Sequence, residues 1–341
     1  MVLYTPPQPA REVPVIDIAP SFGFAGGDAP EDACGRVAWE IHKACRDTGF
    51  FYVTGHGVPA ALIAGQFDWA RRFFALPLPA KMALHMRRSP TFAGYEPMAE
   101  QTLDADSPPD LKEGYYYSAD LPEDDPYLQA RIRGYGGNLW PVDVPDDFDA
   151  SAFVAQMRAY HVALRGLGDR LLRLLARSLG LPADFFAPMY CHPQAVVRLL
   201  HYPPHPATAQ ANQLGAGAHT DWGGITLLAQ DDAGGLEVMN MAGEWIMAPP
   251  LADTFVVNLG DLVQRWSNDR YRSNMHRVLN RGTGRGRDRY SVPFFYTPDH
   301  HARIECLPGC SDAADPPHYP PCTAGEHMTE MFERTYGRQA G

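Results

Sequence analysis

No stretch of this chain approaches the roughly 20 consecutive apolar residues that a membrane-spanning helix requires. That absence argues against a helical membrane span. Positive charge is also in short supply: 29 Lys and Arg stand against 40 Asp and Glu, a formal net charge of −11. A polyanion such as nucleic acid is held by Lys and Arg neutralising its phosphates, so no nucleic-acid partner is expected. The one basic cluster, residues 281–289, reads as a solvated loop with a single arginine kept for chemistry. There are six cysteines, Cys34, Cys45, Cys191, Cys306, Cys310 and Cys322. The first 14 residues are proline-rich and lack the apolar core of a secretion signal. Free thiols in a reducing cytoplasm are therefore expected. Cys306, Cys310 and Cys322 do not have a standard zinc spacing, and no fourth ligand is neatly placed near them. No internal repeat is visible.

What is present suits a well-cored enzyme-sized chain. Its 341 residues are 45% hydrophobic and 20% charged, enough apolar material for a substantial core. The 31 Gly and 32 Pro are scattered, as in a protein with many turns between short strands. Residues 13–18 read as a short buried strand. A helical pattern starts at Pro30, with Val37, Ile41, Ala44 and Cys45 on one face, and Gly49 stops it. Residues 50–54, aromatic and β-branched, read as a strand. After a turn containing His56, read as structural, a second helix starts at Pro59 with Ile63, Phe67, Ala70 and Phe74 inside. Residues 85–149 are irregular, with a short strand expected around 110–117 and surface loops from 121 to 147.

The longest periodic segment runs from Ser151 to Leu179. Phe153, Met157, Tyr160, Leu164, Leu167, Leu171 and Leu174 step by fours and threes, the pattern of an amphipathic helix. About 30 residues would span roughly 45 Å. Gly180 and Pro182 end it. The period then changes to two. Strands are expected at 196–202, 225–230, 236–239, 245–247, 254–259, 277–280 and 290–296, with Ala242-Gly243 as a hairpin turn. Short strands with frequent turns indicate a sandwich or barrel. Residues 325–336 have helical spacing and are expected to close one end.

Chemistry concentrates between Gly217 and Ser291. His219 and Asp221 are two apart, so on a strand they would share one face. His276 returns 55 residues later as a neighbouring strand. Two imidazoles and a carboxylate suit a redox-active divalent iron with open positions. Arg289 and Ser291 also share a face, and a guanidinium fork beside a hydroxyl suits a carboxylate. An iron site beside such a socket suggests a chelating dicarboxylate.

These motifs resemble the isopenicillin N synthase-like family of non-haem iron(II), 2-oxoglutarate-dependent dioxygenases. The likeness covers nearly the whole chain. Val-Pro-Val-Ile-Asp at 13–17 and Gly-Phe-Phe-Tyr-Val-Thr-Gly-His-Gly at 49–57 match the family's N-terminal region. Asp-Leu-Lys-Glu-Gly-Tyr at 110–115 matches its middle segment, and Arg-Leu-Leu-His-Tyr-Pro-Pro at 198–204 matches the strand before the iron site. Residues 217–221 and 229–236 look more like bacterial than plant members.

The resemblance implies mainly β architecture with flanking helices: a distorted double-stranded β-helix (a cupin-like jelly roll) packed on the long helix. It implies His219, Asp221 and His276 as iron(II) ligands. It implies Arg289 and Ser291 as the anchor for the far carboxylate of 2-oxoglutarate, with Tyr202 a further contact. Where many plant members carry Asn this chain has Leu200, so that polar contact is missing or replaced. The implied activity couples oxidative decarboxylation of 2-oxoglutarate, with dioxygen, to oxidation of a small molecule, hydroxylation being the expected outcome. Two alternatives are a same-fold iron oxidase that uses no 2-oxoglutarate and a non-catalytic metal-binding barrel.

Substrate-contact candidates are Arg198, Tyr115, Phe295 and Phe332, and the pocket walls are expected from residues 88–95, 115–117, 294–296 and the C-terminal helix. These segments are aromatic and poor in lysine, so a partly apolar small molecule fits better than a polymer. Organisation is expected as one structural unit: an N-terminal helix and strand region (1–125), loops and the supporting helix (126–190), the jelly-roll core (191–300) and a closing tail (301–341). The sequence does not fix monomer or dimer.

Overall fold

A computed structural model describes residues 6–22, 30–104, 107–204, 213–279 and 287–336. Residues 280–286, which hold two of the four arginines of the basic cluster, lie outside them. The helices are α1 (Glu31–Asp47), α2 (Ala60–Phe74), α3 (Leu78–Ala83), α4 (Pro126–Gln129), α5 (Ala150–Ser178), α6 (Asp261–Trp266) and α7 (Ala324–Tyr336). Asp149 caps α5 by accepting from the Ala152 amide at 2.9 Å, satisfying one orphan donor of the first turn. All seven stripe residues of α5, from Phe153 to Leu174, are buried. α1 and α2 pack against this helix, so it is the spine of a helical layer.

The strands are β1 (Val15–Asp17), β2 (Phe50–Thr54), β3 (Gly94–Glu96), β4 (Glu113–Ser118), β5 (Gln194–Tyr202), β6 (Ala216–His219), β7 (Ile225–Gln230), β8 (Leu236–Met239), β9 (Trp245–Met247), β10 (Phe255–Leu259), β11 (His276–Val278), β12 (Arg289–Thr297), β13 (Arg303–Ile304) and β14 (Cys322–Thr323). Eight form one sheet in the order β1-β2-β10-β7-β12-β5-β4-β3, and four form a second, β6-β11-β8-β9. One face of the large sheet shares a core with α5 through Val197, Leu199, Leu227, Val257, Phe294 and Tyr296. Its other face meets the small sheet over Tyr52, Leu200, Tyr202, Ala216, Leu236, Val238 and Val278. The result is the double-stranded β-helix with flanking helices that the family resemblance implied, within the sandwich or barrel that the alternation indicated.

The sequence undersold residues 85–149. β3 and β4 arise there and extend the large sheet beside β5. β4 is the short strand expected around 110–117, and both its faces are covered: Tyr115 and Tyr117 point to the helices, while Arg198 stacks 4.4 Å from the ring of Tyr116 on the other side. Without a solvent face there is no polar alternation to read. α6 was also not anticipated; six residues are too few for a periodic signal. β11 starts at His276 itself, one residue before the expected strand.

Glu113, at the start of β4, ties three elements together. Its carboxylate accepts from Lys81 at 2.8 Å, from the Tyr95 hydroxyl at 2.6 Å and from His201 at 2.7 Å. His201 reaches Asp288 at 2.7 Å through its other nitrogen. Burial alone would lower the His201 pKa, but bonds to Glu113 and Asp288 outweigh it and raise the pKa above its ordinary 6.5. A raised folded-state pKa stabilises fully below the unfolded value and is lost as pH climbs through the folded one. The stability gap between wild type and His201→Gln is therefore expected to be widest at and below the ordinary histidine pKa of about 6.5 and to shrink as pH rises above it. Urea melts at a series of pH values measure it, and a gap that widens with pH contradicts the assignment.

Candidate active site

His219 ends β6 and His276 begins β11, and the two residues are direct partners in the antiparallel ladder. Asp221 lies two residues past the end of β6, and its carboxylate reaches the same site as His219. Its backbone is fixed as well: the Asp261 amide at the start of α6 donates to its carbonyl at 2.8 Å. The carboxylate Oδ1 lies 4.0 Å from His219 Nε2 and 3.8 Å from His276 Nε2. All three donor atoms fall within 4.8 Å of one another. Two ligands sharing an ion at about 2.1 Å stand no more than about 4.2 Å apart, and both separations to Asp221 satisfy this. Among the described residues this is the single cluster of three or more His, Cys, Asp or Glu able to hold a metal.

Hydrogen bonds prepare each donor. Nδ1 of His219 faces the Gly217 carbonyl at 2.8 Å; donating its proton there leaves Nε2 with a lone pair for metal. Nδ1 of His276 points to the Asn274 carbonyl at 3.4 Å. Thr226 Oγ1 and Asn258 Nδ2 donate to Oδ2 of Asp221 at 2.6 and 2.7 Å, leaving Oδ1 toward the histidines. Burial, then the neighbouring His276, push the His219 pKa down to about 3 despite Asp221. Burial pushes Asp221 up, but His276, His219 and its two donors hold it below the usual range. A neutral His219 imidazole beside an ionised Asp221 carboxylate is the protonation state that a divalent metal requires of these two ligands. The donor set, its spacing and its outer hydrogen bonds fit iron(II).

Beside this triad, β12 and β5 place Arg289 opposite Tyr202 and Ser291 opposite Leu200. Arg289 is buried, with Nε donating to the Gly234 carbonyl at 2.6 Å and Nη1 to Ser291 Oγ at 3.3 Å. Its guanidinium lies 4.6 Å from the Tyr202 ring centre. The three residues thus form one buried cationic corner on the inner face of the large sheet.

A cavity of about 190 Å³ opens on the other side of the triad, with His219, Thr220 and Asp221 in its floor. Phe295 and Phe332 line it as expected. Tyr115 does not: it is fully buried against Phe73, with ring centres 4.4 Å apart, and its hydroxyl donates to the Leu139 carbonyl. Strand alternation turns its neighbour Tyr116 to the cavity instead. Arg198 lines the cavity, but its charge is answered by Glu96, and Gln101 accepts from it at 3.2 Å. It is held too firmly to act as an open carboxylate anchor. Arg133 was missed: it lines the cavity between the rings of Phe92 and Phe332, yet sits in a proline- and aspartate-rich stretch that reads as surface. Met328 and Phe332 bring α7 over this cavity.

Residues 13–143 match the family described as non-haem dioxygenase in morphine synthesis N-terminal. Residues 193–298 match the 2OG-Fe(II) oxygenase superfamily. The chain is 39% identical over 330 residues to the 2-oxoglutarate-Fe(II) type oxidoreductase hxnY of Emericella nidulans, covering 95% of this chain and 90% of that one. It is also 39% identical to the 2-oxoglutarate-dependent dioxygenase citB of Monascus ruber, over 95% of each. Among solved structures, a full-length Neurospora crassa protein in complex with alpha-KG superposes with a TM-score of 0.82 at 29% identity, covering 94% of this chain and 96% of that one. This chain belongs to the 2OG-Fe(II) oxygenase superfamily. It is an iron(II)- and 2-oxoglutarate-dependent dioxygenase that couples decarboxylation of 2-oxoglutarate to oxidation of a small-molecule substrate.

Proposed function

We propose that iron(II) is held by His219, Asp221 and His276, and that 2-oxoglutarate lies with its far carboxylate on Arg289 and Ser291 beside Tyr202. The single observation that carries this reading is the position of the three donor atoms, between the buried cationic corner and the separate cavity. Bound there, iron with dioxygen and 2-oxoglutarate supplies the oxidising power. The protein's own part is placement. Thr226 and Asn258 aim Asp221, Gly217 fixes the His219 tautomer, and Arg289 fixes the cosubstrate's direction. The aromatic walls and α7 keep water away from the reacting C–H bond. Hydroxylation is the reading adopted for the substrate reaction.

An apolar cavity of about 150 Å³ accommodates benzene, so about 190 Å³ suits a single substituted ring system. The aromatic lining agrees, and the Neurospora crassa protein has also been solved in complex with thymine, itself a single ring. Within the superfamily we place the chain in the isopenicillin N synthase-like branch, as its N-terminal and Arg-x-Ser motifs suggest. We read its four segments as one working unit, since strands from residues 1–125 pair directly with those of the core. The cysteines are free thiols and burial pushes Cys45 well above the usual range, which fits a reducing cytoplasm. A succinate-release screen over ring-bearing metabolites, with His276→Ala as the blank, tests the assignment. Release with the wild type and none with the variant is expected. Equal release from both rules out His276 as a ligand.

A further inference from the structure

The chain has only three lysines, Lys43, Lys81 and Lys112, so arginine supplies nearly all its positive charge. Lys112 is 2% exposed. Its ammonium carries three donors, and among the described residues it meets one side-chain partner, the carboxylate of Asp110. Two buried N–H groups without a protein acceptor are costly unless something else accepts from them. Asp110 is itself anchored in the site, accepting from the amide of Gly217 at 2.9 Å, two residues before His219.

The topology says where this ammonium stands. Lys112 immediately precedes β4, whose first pair joins Glu113 to His201 in β5. Its backbone therefore runs beside Tyr202. On the other side of Tyr202 stands Arg289. Two strand spacings, roughly 10 Å, separate the two basic residues at the backbone. Long side chains reaching inward from both can close around a five-carbon dicarboxylate. Leu200, two residues before Tyr202 on the same face of β5, offers no side-chain hydrogen bond.

We propose that Lys112 is the second cation of the cosubstrate socket, donating to the keto-acid carboxylate of 2-oxoglutarate while Arg289 takes the far carboxylate. The assignment rests on the cosubstrate site proposed above. Asp110 holds the ammonium in place and leaves its remaining two donors for the ligand.

Calorimetric binding to anaerobic, Mn(II)-loaded protein tests it. The ligands are 2-oxoglutarate and 2-oxovalerate, which keeps the keto acid and lacks the far carboxylate. Lys112→Met leaves Asp110 buried and charged, so the double variant Asp110→Asn/Lys112→Met is measured too. That pair is neutral and keeps an acceptor for the Gly217 amide. Both variants are expected to lose roughly 10- to 100-fold in affinity, by the same factor for both ligands. Arg289→Gln is expected to weaken 2-oxoglutarate alone. Unchanged affinities in the folded double variant overturn the proposal, as does a loss confined to 2-oxoglutarate, which would assign Lys112 to the far carboxylate. Failure of the wild type to bind 2-oxoglutarate at all would instead sink the cosubstrate reading beneath it.

Discussion

Asp221→Asn is expected to abolish iron binding and turnover while leaving the fold intact. Two donors converge on Oδ2 of Asp221, the Thr226 hydroxyl and the Asn258 amide. An asparagine at 221 satisfies both by offering them its oxygen. Its NH2 group then takes the place of Oδ1, between the two histidine Nε2 atoms. That group has two donors and no lone pair available for a metal. The substitution also removes the one negative charge of the triad. Loss of an outer partner of a metal ligand costs about 10- to 100-fold in affinity, and loss of the ligand itself is expected to exceed that. Anaerobic iron(II) titration measures the affinity, and succinate release measures turnover. Because the amide keeps both hydrogen bonds, the metal-free variant is expected to melt close to the metal-free wild type. Wild-type turnover in the variant would remove Asp221 from the ligand set.

The triad was legible because chemistry constrains it at short range. His219 and Asp221 lie two residues apart, and His276 and Arg289 follow on strands with clear motifs. What the spacing did not show is the support at Asp221: it lies just past the end of β6, and its carbonyl is held by α6, an element of six residues with no periodic signal. A sandwich or barrel was legible from period-two alternation, its jelly-roll form from the family resemblance, and α5 from its unbroken stripe. β3 and β4 were harder to read because both faces of β4 are covered. Within the expected wall 115–117, the same burial misplaced the substrate contact by one position of alternation, at Tyr115 rather than Tyr116.

Most of the cavity wall was legible: residues 88–95, 115–117, 294–296 and the C-terminal helix, named for it from their aromatic content, all contribute. The loop holding Arg133 was not, because no local pattern links it to the others. Arg198 shows the limit of reading by residue type. A buried arginine on the correct strand face looks like an anion anchor until Glu96 and Gln101 are seen to occupy it.

Arg289→Gln is expected to raise the KM for 2-oxoglutarate by roughly 30- to 4,000-fold. Removing one partner of a buried charge pair costs about 2–5 kcal/mol, and each 1.4 kcal/mol is about a tenfold change. Arg289 meets the conditions for the upper part of that range. It is buried, Gly234 and Ser291 hold its orientation, and the Tyr202 ring covers the guanidinium. The fork is thus set before the ligand arrives and little side-chain freedom is lost on binding. The far carboxylate changes little during the reaction, so the contact is made equally in ground and transition states. Such a loss appears in KM with kcat at saturation far less affected. Arg289→Lys keeps the charge and loses the two-pronged geometry, so it is expected to fall between wild type and Gln. Steady-state succinate production across 2-oxoglutarate concentrations separates the constants. A Gln variant whose KM stays within a few-fold of wild type would move the far carboxylate elsewhere, leaving the Arg289–Ser291–Tyr202 corner as part of the core alone.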